Sequence, residues 1–147
     1  LLVLRQPAVW SNPQYLIPLG GMMMGNAMNA AAIAGERFVS LIEHHPLEIE
    51  TYLSLGATPR QALANYRKQA IRAGTVRIVN SMMVVGLVTL PGVVTGQLLG
   101  GANPIDAAAY QMLIIFAIAL TDFIATSLLI ASLGRRFFNE AAQLQQF

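Results

Sequence analysis

Long apolar segments separated by shorter polar ones are the dominant pattern along this chain of 147 residues. A helix needs about 20 mostly apolar residues to cross the roughly 30 Å hydrocarbon layer of a membrane. Three segments meet that requirement, at about residues 15–35, 78–100 and 107–133. The pattern therefore predicts an all-α fold, a polytopic transmembrane bundle with about three membrane-spanning helices.

The positive charges of the chain lie in the connections between these segments. Residues 36–77 carry Arg37, Arg60, Arg67, Lys68, Arg72 and Arg77, whereas the link 101–106 carries no Lys or Arg. Cytoplasmic connections of membrane proteins are enriched in Lys and Arg, so the segment 36–77 is predicted to be cytoplasmic. Arg135 and Arg136 follow the last apolar segment and return the chain to the same side.

Composition supports a membrane location and excludes several other classes. The chain is 55% hydrophobic and 11% charged, with a mean hydropathy of +0.55, which is too apolar for an ordinary soluble domain. A net charge of +2 gives no reason to expect nucleic acid, and zero cysteines exclude disulfides and thiolate metal sites. The apolar run at residues 1–4 is interpreted as the end of an earlier membrane helix, so we expect residues 1–147 to be one transmembrane domain from the C-terminal portion of a longer protein.

A helix-turn-helix is predicted inside the segment 36–77. Gly56 suits the left-handed position just past a helix C-terminus, and Thr58 suits the N-cap of the next helix. Pro59 would then be the first helical residue, where its missing N–H costs nothing, and Gln61 has the spacing of a capping box. Such a short capped element at the membrane surface could serve as a rigid handle or could be a plain loop.

Several stretches carry a resemblance to known transporters. Glu50 precedes Gly56 by six positions, as in the coupling loop of ABC-transporter permeases, although Thr51 and Tyr52 stand where that loop has Ala-Ala. Residues 17–28, 53–62, 80–92 and 101–104 resemble the Fet-type permease family. Its bacterial members are described as iron exporters, and its plant relatives are linked to aluminium sensitivity and tolerance.

The resemblance implies a permease subunit in a bacterial inner membrane, surrounded by lipid and working as a homodimer with a separate ABC ATPase. The chain would bind no cofactor itself and would not be an enzyme, since it has no Gly-rich phosphate loop ending in Lys-Ser or Lys-Thr. ATP would be used by the partner subunit. The residues expected to couple to that ATPase are Glu50, Leu55, Gly56, Ala57, Thr58, Pro59, Arg60 and Gln61.

Polar residues inside the predicted spans are candidates for a translocation path, because they are costly at membrane depth. They are Asn26, Asn29, Asn80, Ser81, Thr89 and Asp122. No Lys or Arg lies within the predicted spans to pair with Asp122. Asp122 is therefore expected to face a wet cavity or to be protonated by desolvation. Its role would be contact with substrate or interhelical hydrogen bonding.

Small residues spaced four apart are expected to let helices approach closely, within the chain or between two copies. These packing candidates are Gly21, Gly25, Gly92, Gly96 and Gly100. Pro91 adjoins this stripe and is expected to kink its helix, either as a hinge or as a static bend.

Metal chemistry is left open by the sequence. Six methionines, at positions 22, 23, 24, 28, 82 and 83, could be soft metal ligands or flexible apolar packing. His44 and His45 fit a solvated loop better than a metal site. Two other functions compete with transport: a membrane scaffold or assembly protein without a transported substrate, and an intramembrane enzyme that would use Asp122.

Overall fold

The computed structural model describes residues 13–84, 92–101 and 103–137, and the regular structure in these ranges is helical. Thr89 and Pro91 lie outside the described residues. The helices are α1 (Pro13–His44), α2 (Pro46–Ser54), α3 (Pro59–Ala62), α4 (Ala64–Val84), α5 (Gly92–Leu99) and α6 (Pro104–Arg136). The prediction of an all-α fold is confirmed for the described part of the chain.

Two of these helices are long and apolar enough to cross a membrane. They are α1, over Leu16–His44, and α6, over Pro104–Arg136. The predicted segments 15–35 and 107–133 fall within these two helices. The predicted segment 78–100 is divided between the end of α4 and the eight-residue α5, with residues 85–91 outside the described ranges. A third spanning helix there stays a prediction.

Helices α1, α4 and α6 pack side by side and enclose the hydrophobic core. Contacts between α1 and α6 join residues whose numbers increase in the same direction along both helices. Gly35 lies against Leu129, and further along the ring of Phe38 lies 6.1 Å from that of Phe137. Gly74 of α4 contacts Ala30 and Thr126, while Leu63, just before α4, contacts Gly134 near the end of α6. Hence α1 and α6 run in the same direction, and α4 runs antiparallel to both.

Gly74 is where the three helices approach most closely. A Cβ atom added there would lie 2.6 Å from the carbonyl oxygen of Ala30, 2.8 Å from Cγ2 of Thr126 and 2.9 Å from Cβ of Ala34. Real Cβ atoms do not come so close to backbone, so α4 can occupy this position only with glycine. Gly74 is not among the packing glycines predicted from the sequence.

The glycine stripes named from the sequence have different surroundings. Added Cβ atoms at Gly21, Gly25 and Gly96 would meet nothing within 4 Å, and one at Gly100 would meet only its own preceding turn. Gly92 is the first residue of α5. Close packing inside the described part of the chain is therefore provided by Gly74 rather than by Gly21, Gly25 or Gly96, and a seam between two copies stays a prediction.

The outward face of α6 differs from that of a helix in a soluble protein. Its outward face is apolar, and its buried face includes Gln111, Asp122 and Thr126. The outward side chains include Met112, Phe116, Leu120, Phe123 and Leu128, each more than half exposed. Exposed apolar side chains around a partly polar interior are typical of a helix surrounded by lipid or by further membrane helices.

Candidate functional site

The helix-turn-helix begins with a C-cap that depends on glycine. The Gly56 N–H donates to the carbonyl oxygen of Leu53, and the Ala57 N–H donates to that of Tyr52, each at 3.0 Å. This pair of bonds is a Schellman motif, which requires a left-handed residue at its centre. Gly56 has φ = 86°, so the predicted left-handed glycine is confirmed.

The next helix begins with the predicted cap. Thr58 has an extended backbone, Pro59 is the first helical residue, and Oε1 of Gln61 accepts from the Thr58 N–H at 2.9 Å. The Thr58 hydroxyl also donates to this oxygen at 2.9 Å. The chain then remains helical to residue 84 apart from a one-residue irregularity at Leu63, where the Arg67 N–H donates to the Leu63 carbonyl oxygen at 2.9 Å. We call residues 50–61 the capped turn.

The capped turn is exposed, while the residues on either side of it are held in the core. Ile49 is fully buried and Leu63 is 2% exposed, whereas Leu55 at the tip is 78% exposed. The other predicted coupling residues are exposed or half-buried: Glu50, Gly56, Thr58, Arg60 and Gln61 are exposed, and Ala57 and Pro59 are half-buried. The segment thus presents a rigid tip with an unburied leucine.

Tyr66, which was not among the predicted site residues, helps to fix the start of α4. Its side chain is buried, and its ring centre lies 5.6 Å from that of His45, just before α2. Burial, with the neighbouring Glu48 acting in the same direction, raises the pKa of Tyr66 to about 12. The phenol is therefore uncharged at physiological pH and packs as a neutral ring next to the capped turn.

A second group of residues, the polar cluster, takes one residue from each of the three long helices, of which Asp122 is buried, Asn26 half-buried and Arg77 exposed. It consists of Asn26 on α1, Arg77 on α4 and Asp122 on α6. The Arg77 guanidinium donates to Oδ1 of Asn26, whose amide donates to the Met22 carbonyl oxygen at 2.8 Å. Arg77 also lies close enough to Asp122 for their charges to interact.

Asp122 is the most enclosed member of the polar cluster. Its side chain is 1% exposed, and its Oδ1 has no hydrogen-bond partner. One turn later, the Thr126 hydroxyl donates to the backbone carbonyl oxygen of Asp122 at 2.8 Å and not to its carboxylate. A buried carboxylate oxygen without a donor is costly, which keeps Asp122 a candidate for the translocation path.

The charge nearest to Asp122 in effect comes from Arg77, which lies outside the predicted spans. Arg77 was assigned to the polar segment 36–77, but α4 runs back along α1 and α6 and places its guanidinium against Asn26. Gly74 precedes Arg77 by one helical turn on α4. The only sequence feature that could have indicated this position is a small residue followed three positions later by a basic one. That spacing is too common to be informative unless the helix contacts are known.

The remaining path candidates do not join the polar cluster in the described part of the chain. Asn29, Asn80 and Ser81 are exposed, and the Ser81 hydroxyl donates to the Arg77 carbonyl oxygen at 2.9 Å. Their exposure leaves them free of the core formed by the described helices.

Metal ligands do not converge within the described residues. Those residues contain no group of three or more His, Cys, Asp or Glu that could hold a metal ion. Nδ1 of His44 lies 2.7 Å from the Ser40 carbonyl oxygen, and Nδ1 of His45 lies 2.9 Å from that of Leu41. Both histidines thus cap the end of α1.

Comparison with known proteins identifies the family. Residues 1–138 match UPF0014, described as an uncharacterised protein family. The chain belongs to the UPF0014 family. Its outward apolar faces and two candidate spans agree with relatives of this family that are called membrane proteins, and the chain is a membrane protein.

Three relatives illustrate the range of the UPF0014 family. The chain is 54% identical over 144 residues to the UPF0014 membrane protein slr1647 of Synechocystis, covering 98% of this chain and 56% of that protein. It is 36% identical over 132 residues to the probable iron export permease protein FetB of Escherichia coli, covering 90% of this chain and 51% of FetB. It is also 36% identical over 137 residues to the protein ALUMINUM SENSITIVE 3 of Arabidopsis thaliana, covering 90% of this chain and 49% of that protein.

The resemblance to iron-export and aluminium-related permeases is confirmed by these matches. The chain spans about half the length of the curated relatives it matches. No solved structure matched the chain.

Proposed function

We propose that this UPF0014 chain is part of the permease subunit of an ATP-driven exporter and that its ATPase, a separate polypeptide, docks on the capped turn. The observation that carries the proposal is a doubly capped turn with an exposed leucine tip and core-anchored flanks. An apolar side chain that is left exposed on a rigid element is a suitable anchor for a partner protein.

Movement of the capped turn would be transmitted by the helical stretch 59–84. The first residues of this stretch belong to the turn, Leu63 enters the core, and Arg77 reaches the polar cluster. Packed helices transmit displacement because their interiors are poorly compressible. A push at Leu55 would thereby shift Arg77 relative to Asp122.

The cargo would pass near the polar cluster. Asn26 and Asp122 were candidates for the path, and Arg77 is added to them here. The name of FetB supports iron as the cargo, and another metal ion or a small solute is the broader class. Exposed Asn29, Asn80 and Ser81 would face the rest of the permease or a second copy, and Thr89 keeps its predicted place in the path.

The orientation in this proposal follows from the charges. The six basic residues of 36–77 would face the cytoplasm of a bacterial cell, with the permease in the inner membrane. That side is where ATP is available to the partner subunit.

The experiment compares two exposed leucines in the full-length permease co-expressed with its ATPase subunit. Leu55 is 78% exposed at the turn tip, and Leu47 is 79% exposed near the start of α2. Leu55→Asp should abolish co-purification and permease-stimulated ATP hydrolysis, while Leu47→Asp should leave both near wild type. Equal behaviour of the two variants would contradict docking on the capped turn.

The cargo is tested separately. Cells that express the intact transporter should contain less iron than cells without it, measured as total metal content, and Asp122→Asn serves as a side test of the path. Unchanged iron together with normal ATPase coupling would remove iron as the cargo but leave the docking proposal in place.

A further inference from the structure

A groove lined by arginines lies beside the capped turn. It has a volume of about 470 Å³ between the start of the helical stretch 59–84 and the end of α6. The residues that line it are Pro59, Arg60, Leu63, Arg67, Ala131, Gly134 and Arg135. Three of these seven are arginines, and none of the described lining residues is acidic.

The chemistry of this arginine groove suits a phosphate. Guanidinium groups bind phosphate oxygens through paired hydrogen bonds, and three of them around one groove attract a single anion strongly. Leu63, Ala131 and Gly134 supply an apolar wall, and a Cβ on Gly134 would come within 3.8 Å of Leu63. The occupant should therefore combine an anionic head with apolar surface.

The location of the groove selects the kind of occupant. α6 is the more apolar of the two candidate spans, and Gly134 and Arg135 lie in its last turn. The end of a spanning helix lies at the depth of the phospholipid headgroups. Basic pockets between helices at that depth bind anionic lipid headgroups.

We propose that the arginine groove binds the headgroup phosphate of an anionic phospholipid through Arg60, Arg67 and Arg135. The site is distinct from the polar cluster and requires no assumption about cargo or ATPase. Because Pro59 and Arg60 also belong to the capped turn, a bound lipid would link the turn to the end of α6.

The test uses the full-length protein in neutral detergent micelles, with phosphatidylglycerol and phosphatidylcholine as probes. Arg60 is left intact because it belongs to the capped turn. The variant Arg67→Gln/Arg135→Gln is compared with Arg37→Gln/Arg72→Gln, which removes the same charge from exposed arginines that do not line the groove. Circular dichroism and thermal midpoints confirm that both variants fold.

We expect wild type and the control to prefer phosphatidylglycerol over phosphatidylcholine, and the groove variant to bind phosphatidylglycerol about tenfold or more weakly. Arg67→Lys/Arg135→Lys should recover part of this affinity, since charge is kept while the paired hydrogen bonds are lost. Equal weakening in groove and control variants would overturn the proposal, because it would indicate a general charge effect.

Two further measurements test whether something other than a phospholipid occupies the arginine groove. Inorganic phosphate should fail to displace the lipid at millimolar concentration, and full displacement would overturn the proposal in favour of a free anion site. Loss of ATPase co-purification in Arg67→Gln/Arg135→Gln, with lipid binding unchanged, would overturn it in favour of a protein contact.

Discussion

The capped turn and the helix contact around Gly74 are built in opposite ways. Every hydrogen bond that shapes the turn joins residues within five positions of one another, and the turn is exposed. The Gly74 contact joins residues from α1, α4 and α6 and is buried. A local element can thus be set by its own residues, whereas the contact depends on helices that are distant in sequence.

The exposed capped turn is accessible to a partner protein, whereas the stability of the fold depends on the buried Gly74 contact. Substitutions in the capped turn should alter docking and cost little stability, because local capping interactions are each small. Substitutions in the Gly74 contact should cost more, because no neighbouring group can move away cheaply.

The largest effect is expected for Gly74→Leu. Even a Cβ atom would lie 2.6 Å from the Ala30 backbone, so a leucine must separate α4 from α1 and α6. The cost should be about 3 kcal/mol or more, seen as a strongly lowered thermal midpoint or loss of folded protein.

Gly20→Leu is the matched control for this substitution. Nothing lies within 4 Å of a Cβ at Gly20, so folded yield and midpoint should remain close to wild type. A similar loss in both variants would mean that leucine in an apolar helix, rather than the three-helix contact, causes the defect.

The polar cluster should show the next largest effect. Arg77→Gln removes both the bond to Asn26 and the charge near Asp122, and Asp122→Asn removes the other charge. Arg77→Gln should lower stability, while Asp122→Asn should cost less because it also removes an unfavourable buried charge. The double variant should be less damaged than the sum by about 0.5–3 kcal/mol. Thermal midpoints of the four proteins in detergent give this coupling energy, and additive losses would show that the two charges do not interact.

The sequence predicted the local features of the fold and missed those that depend on helix packing. Gly56, Thr58, Pro59 and Gln61 were predicted correctly because each acts on a backbone group a few residues away. Gly74 and the proximity of Arg77 to Asp122 follow from the antiparallel path of α4, which no local pattern encodes.

The candidate path was predictable only in part, for the same reason. A polar residue within an apolar segment can be recognised directly in the sequence, so Asn26 and Asp122 were predicted as candidates. Arg77 lies in a segment rich in charge and could be recognised only once α4 was seen to return along α1. The spacing of the glycines could likewise be taken from the sequence, but the residues that contact each glycine in the fold could not.

A smaller effect is expected at Gly56, where the backbone is left-handed. Gly56→Val should cost about 1–2 kcal/mol because a β-branched residue resists this conformation, while Gly56→Asn should be better tolerated. The difference in thermal midpoint between the two variants measures the strain. If Val and Asn behave alike, the turn does not keep its left-handed residue.

The smallest effect is expected for the N-cap of α3. Thr58→Ala removes the hydroxyl that donates to Gln61 but keeps the backbone N–H that donates to the same oxygen, so the loss should be about 0.5–1 kcal/mol, with Thr58→Ser near neutral. Hydrogen exchange localises the change: protection should fall within 58–63 and remain unchanged around Gly74. Lost protection at Gly74 would mean that the capped turn and the buried contact form one cooperative unit, and turn variants would then report on the core as well as on docking.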